Sequence, residues 1–270
     1  MNRQQLKDSC KNRRICWGTV LFEYAVPHTV RTFARAGYEW LWIDLEHNAL
    51  ALDTVLELGR TAQDVGIATI VRVPQSEYAY IARTLDTGVD GIMIPRVETP
   101  EQMRHIVDCA KYPPIGKRGF GIRPKAFGKQ SMSIRERVAD QNTTRLLCIQ
   151  FESPDAVTNA EAIIDAAEGQ LDAVFMGPAD YQVAIGKLDE PDAPELDAAA
   201  RRVSAICGER NIANGVPVAT LSSARWWLDR GFTMFTFASD DMFLANTACE
   251  ARVALSELER QFSESAGEES

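Results

Sequence analysis

Apolar residues along the chain gather into short, nearly continuous runs, separated by longer stretches in which they recur every three or four positions. The runs are Ile15–Phe22, Trp40–Asp44, Ile67–Val73, Gly91–Pro95, Leu146–Glu152, Ala173–Gly177, Ile212–Val218 and Thr233–Ala238. Such runs predict strands buried on both faces. The intervening Leu52–Val65, Glu101–Ala110, Ala156–Ala167 and Ala198–Arg210 have helical period. Eight strand–helix alternations predict a parallel sheet closed into a (β/α)8 TIM barrel. No Gly-x-Gly-x-x-Gly follows the first strand, and Gly119-Phe120-Gly121 lacks both the third glycine and a preceding strand. The dinucleotide-binding version of an α/β fold therefore loses its main support.

No linker long enough to divide domains interrupts the pattern, so residues 1–270 read as one barrel domain, a size usual for that fold. The acidic, Ser-rich stretch 259–270 is predicted to be a flexible tail. An irregular insertion, Tyr112 to Gln130, carries Lys117, Arg118, Arg123, Lys125 and Lys129. Following the fourth strand, it is expected on the catalytic face, either as a solvated loop or as a lid that funnels anions.

Composition removes several classes. With 46% hydrophobic and 25% charged residues, the chain can build a core without staples, which excludes disorder. A net charge of -9 repels phosphate backbones and argues against nucleic acid as a partner. No apolar run reaches the ~18 residues of a membrane span, and the polar Met1–Arg14 start is no signal peptide. The six cysteines form no Cys-x-x-Cys pair and read as buried free thiols, which places the chain in the cytoplasm.

Barrel enzymes put their chemistry where strands end, and four of the strands end in polar residues. Strand two ends in Asp44-Leu45-Glu46-His47-Asn48, strand three in Arg72, strand five in Gln150-Phe151-Glu152, and strand six in Gly177-Pro178-Ala179-Asp180. Gln150 and Glu152, two apart, share a face. Asp180 lies one strand–helix unit, 28 residues, beyond Glu152. Adjacent acids either share a proton or share a cation. With no thiolates or paired histidines nearby, an all-oxygen pair suits Mg²⁺ or Mn²⁺. Capping of the following helices would also account for either acid.

Arg72 stands 28 residues beyond Asp44. A guanidinium ending an apolar run needs an anion. That anion is Asp44 or, the reading preferred from sequence, a substrate carboxylate or enolate. Of the three histidines, His28 and His105 fall in helical or capping segments, whereas His47 stands just past a strand, where a general base belongs. Asp86, ending a helix against its dipole, is either solvated or paired with a cation such as His47. None of the seven lysines lies in a predicted strand, which argues against Schiff-base chemistry.

Six blocks in order resemble a known family: Trp42-Ile43-Asp44-Leu45-Glu46-His47-Asn48, Val71-Arg72-Val73-Pro74, Leu85-Asp86-Thr87-Gly88 with Gly91-Ile92-Met93-Ile94-Pro95, Tyr112-Pro113-Pro114 with Gly116-Lys117-Arg118-Gly119-Phe120-Gly121, Ile149-Gln150-Phe151-Glu152, and Phe175-Met176-Gly177-Pro178-Ala179-Asp180. They are similar to the signature blocks of the metal-dependent (class II) pyruvate aldolases, the 4-hydroxy-2-oxoheptanedioate and 2-dehydro-3-deoxyglucarate aldolases related to the citrate lyase β-subunit. The resemblance spans about residues 15 to 255. It implies a (β/α)8 barrel with Glu152 and Asp180 holding a divalent metal (Mg²⁺, Mn²⁺ or Co²⁺), and with Arg72, His47 and Asp44 catalytic. Gln150, Gly177 and the backbone N–H groups of Ala179 and Asp180 would line the 2-oxo acid site, and Asp86 of a neighbouring subunit would pair with His47. It further implies a homo-oligomer, a hexamer or trimer of dimers, with exchanged C-terminal helices. Tyr181-Gln182 departs from the Leu-Ser usual in aldolase relatives, and Arg123 to Lys129 departs as well; both departures are expected near the distal end of the substrate.

The activity so implied is reversible cleavage of a 4-hydroxy-2-oxo acid into pyruvate, or a related 2-oxo acid, and an aldehyde. A malyl- or citramalyl-CoA type lyase would use the same carboxylates, and a non-catalytic keto-acid-binding barrel would not need His47.

Overall fold

A computed structural model describes residues 1–121, 132–188 and 190–268, with side chains up to 263. Helix α1 (Arg3–Lys11) precedes strand β1 (Cys16–Leu21), α2 (Pro27–Ala36), β2 (Trp40–Asp44) and α3 (Leu52–Val65). β3 (Ala68–Arg72), α4 (Tyr78–Asp86), β4 (Gly91–Ile94), α5 (Pro100–Ala110) and α6 (Ile134–Thr144) follow. Next come β5 (Leu146–Phe151), α7 (Pro154–Thr158), α8 (Ala160–Asp165), β6 (Ala173–Met176) and α9 (Pro178–Ala184). The chain ends with α10 (Pro194–Glu209), β7 (Ala213–Val218), α11 (Leu221–Leu228), β8 (Met234–Ser239) and α12 (Asp240–Glu268). The eight strands pair in parallel, each with its sequence neighbour and β8 with β1, so the barrel closes as the alternation predicts.

Residues two apart alternate between lumen and helix layer. Trp40, Trp42, Ala68, Ile70, Met93, Leu146, Cys148, Ala173 and Phe175 form one buried cluster inside the barrel. Leu41, Ile43, Val71, Leu147, Ile149, Val174 and Met176 face the helices instead. The lumen is filled by aromatic edges: Phe175 meets both Trp40 and Trp42 edge-on, each with ring centroids 5.8 Å apart. Gly18 makes room for this filling, since a Cβ there would lie 2.5 Å from the Trp40 ring. Continuing the inward parity upward brings Asp44, Arg72, Gln150, Glu152 and Gly177 to the C-terminal mouth.

The opposite end is closed by α1. Leu6 and Cys10 join the lumen cluster, while Arg3 pairs with Asp90 at 3.0 Å and Lys7 with Asp172 at 2.6 Å. Both acids also accept backbone N–H groups of the neighbouring strands, Thr69 and Leu147.

Three local expectations change. The predicted helix Ala156–Ala167 is two short helices, α7 and α8, meeting at Asn159, whose side chain donates to the Glu98 carbonyl. The insertion after Tyr112 leaves from the end of α5, not from the strand end. Its first part therefore runs against α4 on the helix layer, where Arg118 pairs with Asp86 and Gly119 N–H donates to the Tyr78 hydroxyl. Lys117 and Arg118 thus lie away from the mouth, and Arg123, Lys125 and Lys129 fall outside the described residues. Finally, α12 carries helical backbone through Glu268, into the stretch expected to fray. Five cysteines are buried free thiols, but Cys249, on α12, is exposed. Among the described residues no helix is long and apolar enough to cross a membrane.

Candidate active site

β2 and β3 run in register, Asp44 opposite Arg72, so parity and pairing alone set the two side chains together. Arg72 donates Nε (2.7 Å) and Nη2 (2.8 Å) to the two Asp44 oxygens, and its guanidinium lies 4.8 Å from the Trp42 ring. Both residues are buried. Asp44 also accepts the backbone N–H groups of Glu46 and His47, which fixes the turn that carries them. The guanidinium's planar fork is therefore used on Asp44, the alternative not preferred from sequence. Nη1 alone turns toward the mouth, 3.0 Å from Glu46 and 3.4 Å from Gln150 Oε1.

Glu46 was noted in the sequence only as a neighbour of His47; the structure gives it a central position. Oε2 lies 3.7 Å from His47 Nε2 as well as beside Arg72, and Oε1 lies 3.6 Å from Arg96 Nε. Desolvation raises its pKa against the pull of Arg72 and His47. The His47 ring is half exposed and has Glu46 as its nearest carboxylate. Asp86, at the far end of α4, is held by Arg118 at 2.6 Å and does not join this cluster within the chain.

Across the mouth, β5 and β6 pair Gln150 with Phe175 and Phe151 with Met176, which brings Glu152 beside Gly177. A Cβ at residue 177 would stand 2.7 Å from Glu152 Cγ and 2.9 Å from Gln150 Nε2, so only glycine permits this approach. Pro178 opens α9, placing Asp180 in its first turn. Among the described residues neither the Glu152 nor the Asp180 carboxylate forms an ion pair. Glu152 is buried and its pKa is pushed up to about 7, first by desolvation and then by the charge of Asp180 and Glu46, against Arg72. A buried carboxylate whose ionisation is opposed by a neighbouring carboxylate's charge is part of a donor set that a hard divalent cation relieves. Among the described residues no third His, Cys, Asp or Glu joins them, so such an ion would complete its shell with water and substrate. As neighbouring oxygen donors, the two residues suit the chemistry of the metal role expected of them.

Tyr181 and Gln182 do not face the mouth. Tyr181 is buried in the helix-layer core, and Gln182 donates to the carbonyls of Lys187 and Glu190, tying down the end of α9. Lys111 is buried, with a pKa lowered by desolvation to about 8, but its Nζ donates to the Asn142 and Arg145 carbonyls below β5, at the other end of the barrel. It is out of reach of the carboxylates at the mouth.

Arg96 escaped notice because strand four ends in Pro95. Reading one residue further, with the rule applied to the other strands, would have found it.

A parallel barrel with polar residues gathered at the carboxyl ends of β2, β3, β5 and β6 defines an enzyme-type site. The chain belongs to the HpcH/HpaI aldolase/citrate lyase family, whose model matches residues 19–247. It is 32% identical over 227 residues to a 5-keto-4-deoxy-D-glucarate aldolase of Klebsiella pneumoniae, covering 83% of this chain and 85% of that one. It is 34% identical over 229 residues to a hydroxypyruvate/pyruvate aldolase of Cupriavidus necator, covering 83% and 82%. Among solved structures, the HpcH/HpaI aldolase from Desulfitobacterium hafniense superposes with a TM-score of 0.86 at 28% identity, covering 93% of this chain and 96% of that one.

Proposed function

We propose that this chain is a metal-dependent aldolase that reversibly cleaves a 4-hydroxy-2-oxo acid to pyruvate, or a related 2-oxo acid, and an aldehyde. The observation that carries this reading is the Glu152–Asp180 carboxylate pair, without an ion pair among the described residues, standing across the mouth from an Asp44-anchored Arg72 and from His47. The relatives named as 5-keto-4-deoxy-D-glucarate and hydroxypyruvate/pyruvate aldolases support it. Glu152 and Asp180 would hold Mg²⁺, Mn²⁺ or Co²⁺, whose contribution is Lewis-acid polarisation of the 2-oxo group.

The chain's own residues do the rest. The backbone N–H groups of Ala179 and Asp180, in the first turn of α9, offer donors to the substrate carboxylate. Gln150, buried and turned toward Arg72 Nη1, and Gly177 border the same space. In cleavage, His47 takes the proton of the 4-hydroxyl, the C3–C4 bond breaks, and its electron pair passes to the 2-oxo acid as an enolate. Arg72, immobilised by Asp44, presents fixed positive charge where the enolate develops, with no reorganisation at that moment. Glu46, beside the His47 ring, offsets the positive charge the ring acquires.

A single chain leaves Leu244, Leu255, Leu258 and Phe262 of α12 exposed, all at helical spacing. A second copy of the chain is the occupant we propose for this stripe, in a homo-oligomer from which Asp86 would reach a neighbour's His47. Buried free thiols suit a reducing compartment such as the cytoplasm.

The test is exchange of the pyruvate methyl protons with deuterated water, followed by NMR, with Mn²⁺ and no aldehyde. Exchange that stops in chelator supports the reading; an unchanged methyl signal reduces the protein to a passive binder, and exchange requiring a CoA thioester makes it a lyase of that type.

A further inference from the structure

Among the described residues, Arg96 is a charged residue at the mouth with no assigned task. On β4, Met93 faces the lumen and Ile92 and Ile94 face the helices, so strict alternation would send residue 96 outward. Its backbone instead adopts φ of +55°, in the left-handed region that a β-carbon disfavours, and the alternation breaks there. The guanidinium consequently stands at the mouth, with Nε 3.6 Å from Glu46 Oε1. Strained residues of this kind collect where an aimed side chain is of use.

The contact with Glu46 does not occupy the guanidinium. At 3.6 Å it is no hydrogen bond, the Arg96 side chain is 69% exposed, and Glu46 already has Arg72 at 3.0 Å. None of the five N–H donors of Arg96 makes a hydrogen bond to the described residues, and the side chain opens to solvent at the rim. Charge at the mouth points the same way. Among the described residues Asp44 and Glu46 together match the charges of Arg72 and Arg96, and a divalent cation would match Glu152 and Asp180, so an incoming anion meets a neutral bed with one uncommitted fork. That fork rises from β4, two strands from the β6–α9 turn proposed above to hold the 2-oxo acid carboxylate, and it lies against the Glu46 oxygen other than the one beside His47. It therefore borders the space left for the second reactant.

We propose that Arg96 selects acceptor aldehydes that carry an anionic group, a carboxylate or similar oxyanion, by a charge-assisted, two-pronged contact at the rim. This rests on the aldolase reading above. In the synthetic direction a pyruvate methyl proton is lost, the methyl carbon bonds to the aldehyde carbon, and the aldehyde oxygen takes up a proton; Arg96 touches none of these atoms and is a specificity residue.

The experiment compares acceptors matched in length but not in charge, glyoxylate against glycolaldehyde and succinic semialdehyde against butanal, each condensed with pyruvate and Mn²⁺. The quantity read is the ratio of kcat/KM for the anionic over the neutral member. Wild type is expected to favour the anion, and Arg96→Ala to lower that ratio about 10- to 100-fold, chiefly through KM. Arg96→Lys should retain part of it, because the charge stays and the fork goes. Raising salt from 50 to 500 mM should lower the wild-type ratio and leave that of Arg96→Ala flat. A ratio unchanged by Arg96→Ala, or a wild type that favours neither member, overturns the proposal. Deuterium exchange of pyruvate alone separates the two levels: exchange with an unchanged ratio defeats the Arg96 assignment only, whereas absence of exchange defeats the aldolase reading and this proposal with it.

Discussion

Arg72 and Asp44 meet through two parallel hydrogen bonds of 2.7 and 2.8 Å from strands paired residue to residue, and both side chains are buried. The pair makes the guanidinium a fixed source of positive potential instead of a mobile clamp. Removing the carboxylate leaves a buried cation without its partner. Asp44→Ala is expected to cost about 3–5 kcal/mol of stability in denaturant titration, together with turnover. Arg72→Lys should fold and bind metal but lose most of kcat, since an ammonium cannot hold both Asp44 oxygens and face the enolate. A fully active Asp44→Ala enzyme would show that Arg72 needs no anchor.

Glu152 makes both folding and metal binding depend on pH. Its carboxyl, raised from 4.5 to about 7 in the folded chain, binds its proton more tightly there than when unfolded. Metal-free protein should therefore lose stability as pH rises from about 4.5 through about 7, by on the order of 2–3 kcal/mol. Glu152→Gln should remove that slope in thermal melts. Metal requires the ionised carboxylate, so Mn²⁺ affinity should climb over the same window, with uptake of metal releasing about one proton below pH 7. Affinity that is flat from pH 5.5 to 8 would mean that Glu152 is not a ligand.

Gly177 is tested by the smallest possible change. A methyl group added there would lie 2.7 Å from Glu152 Cγ, and it must push that side chain aside. Gly177→Ala should weaken Mn²⁺ binding about tenfold or more while the melting temperature moves by only a few degrees, because the carboxylate, not the barrel, gives way. Native-like metal affinity in this variant would place the ion elsewhere.

Lys111 offers the discriminating control for imine chemistry. It has the desolvated character of a Schiff-base lysine, with a pKa of about 8, but it stands at the wrong end of the barrel. Borohydride added with pyruvate should leave no adduct by mass spectrometry, and Lys111→Met should retain cleavage activity. A trapped lysine would replace the metal scheme altogether.

The barrel was legible because its strands are buried on both faces, and each appears as an apolar run with bounds within a residue or two of those observed. Asp44, Arg72, Gln150, Glu152 and Asp180 were legible for the same reason, since polar residues ending such runs must face the mouth. What the chain did not disclose was how these groups divide among partners. Spacing placed Arg72 beside Asp44 but could not weigh a protein anion against a substrate one; the strand register decides it. The first part of the insertion, through Arg118, was misplaced because a loop's face depends on whether it leaves a strand or a helix, and it leaves α5. Arg96 lay hidden behind Pro95, where a positive φ breaks the alternation on which the other assignments depended.

Glu152 and Asp180 as joint ligands of one divalent ion is the point on which the chemistry turns. Manganese titration of metal-stripped protein, read by the electron paramagnetic resonance of the free ion, addresses it directly. One tight site per chain is expected, lost in Glu152→Gln and in Asp180→Asn alike, with pyruvate-forming cleavage lost alongside. Manganese held equally well by both variants, or undiminished cleavage by the stripped enzyme in chelator, would contradict it.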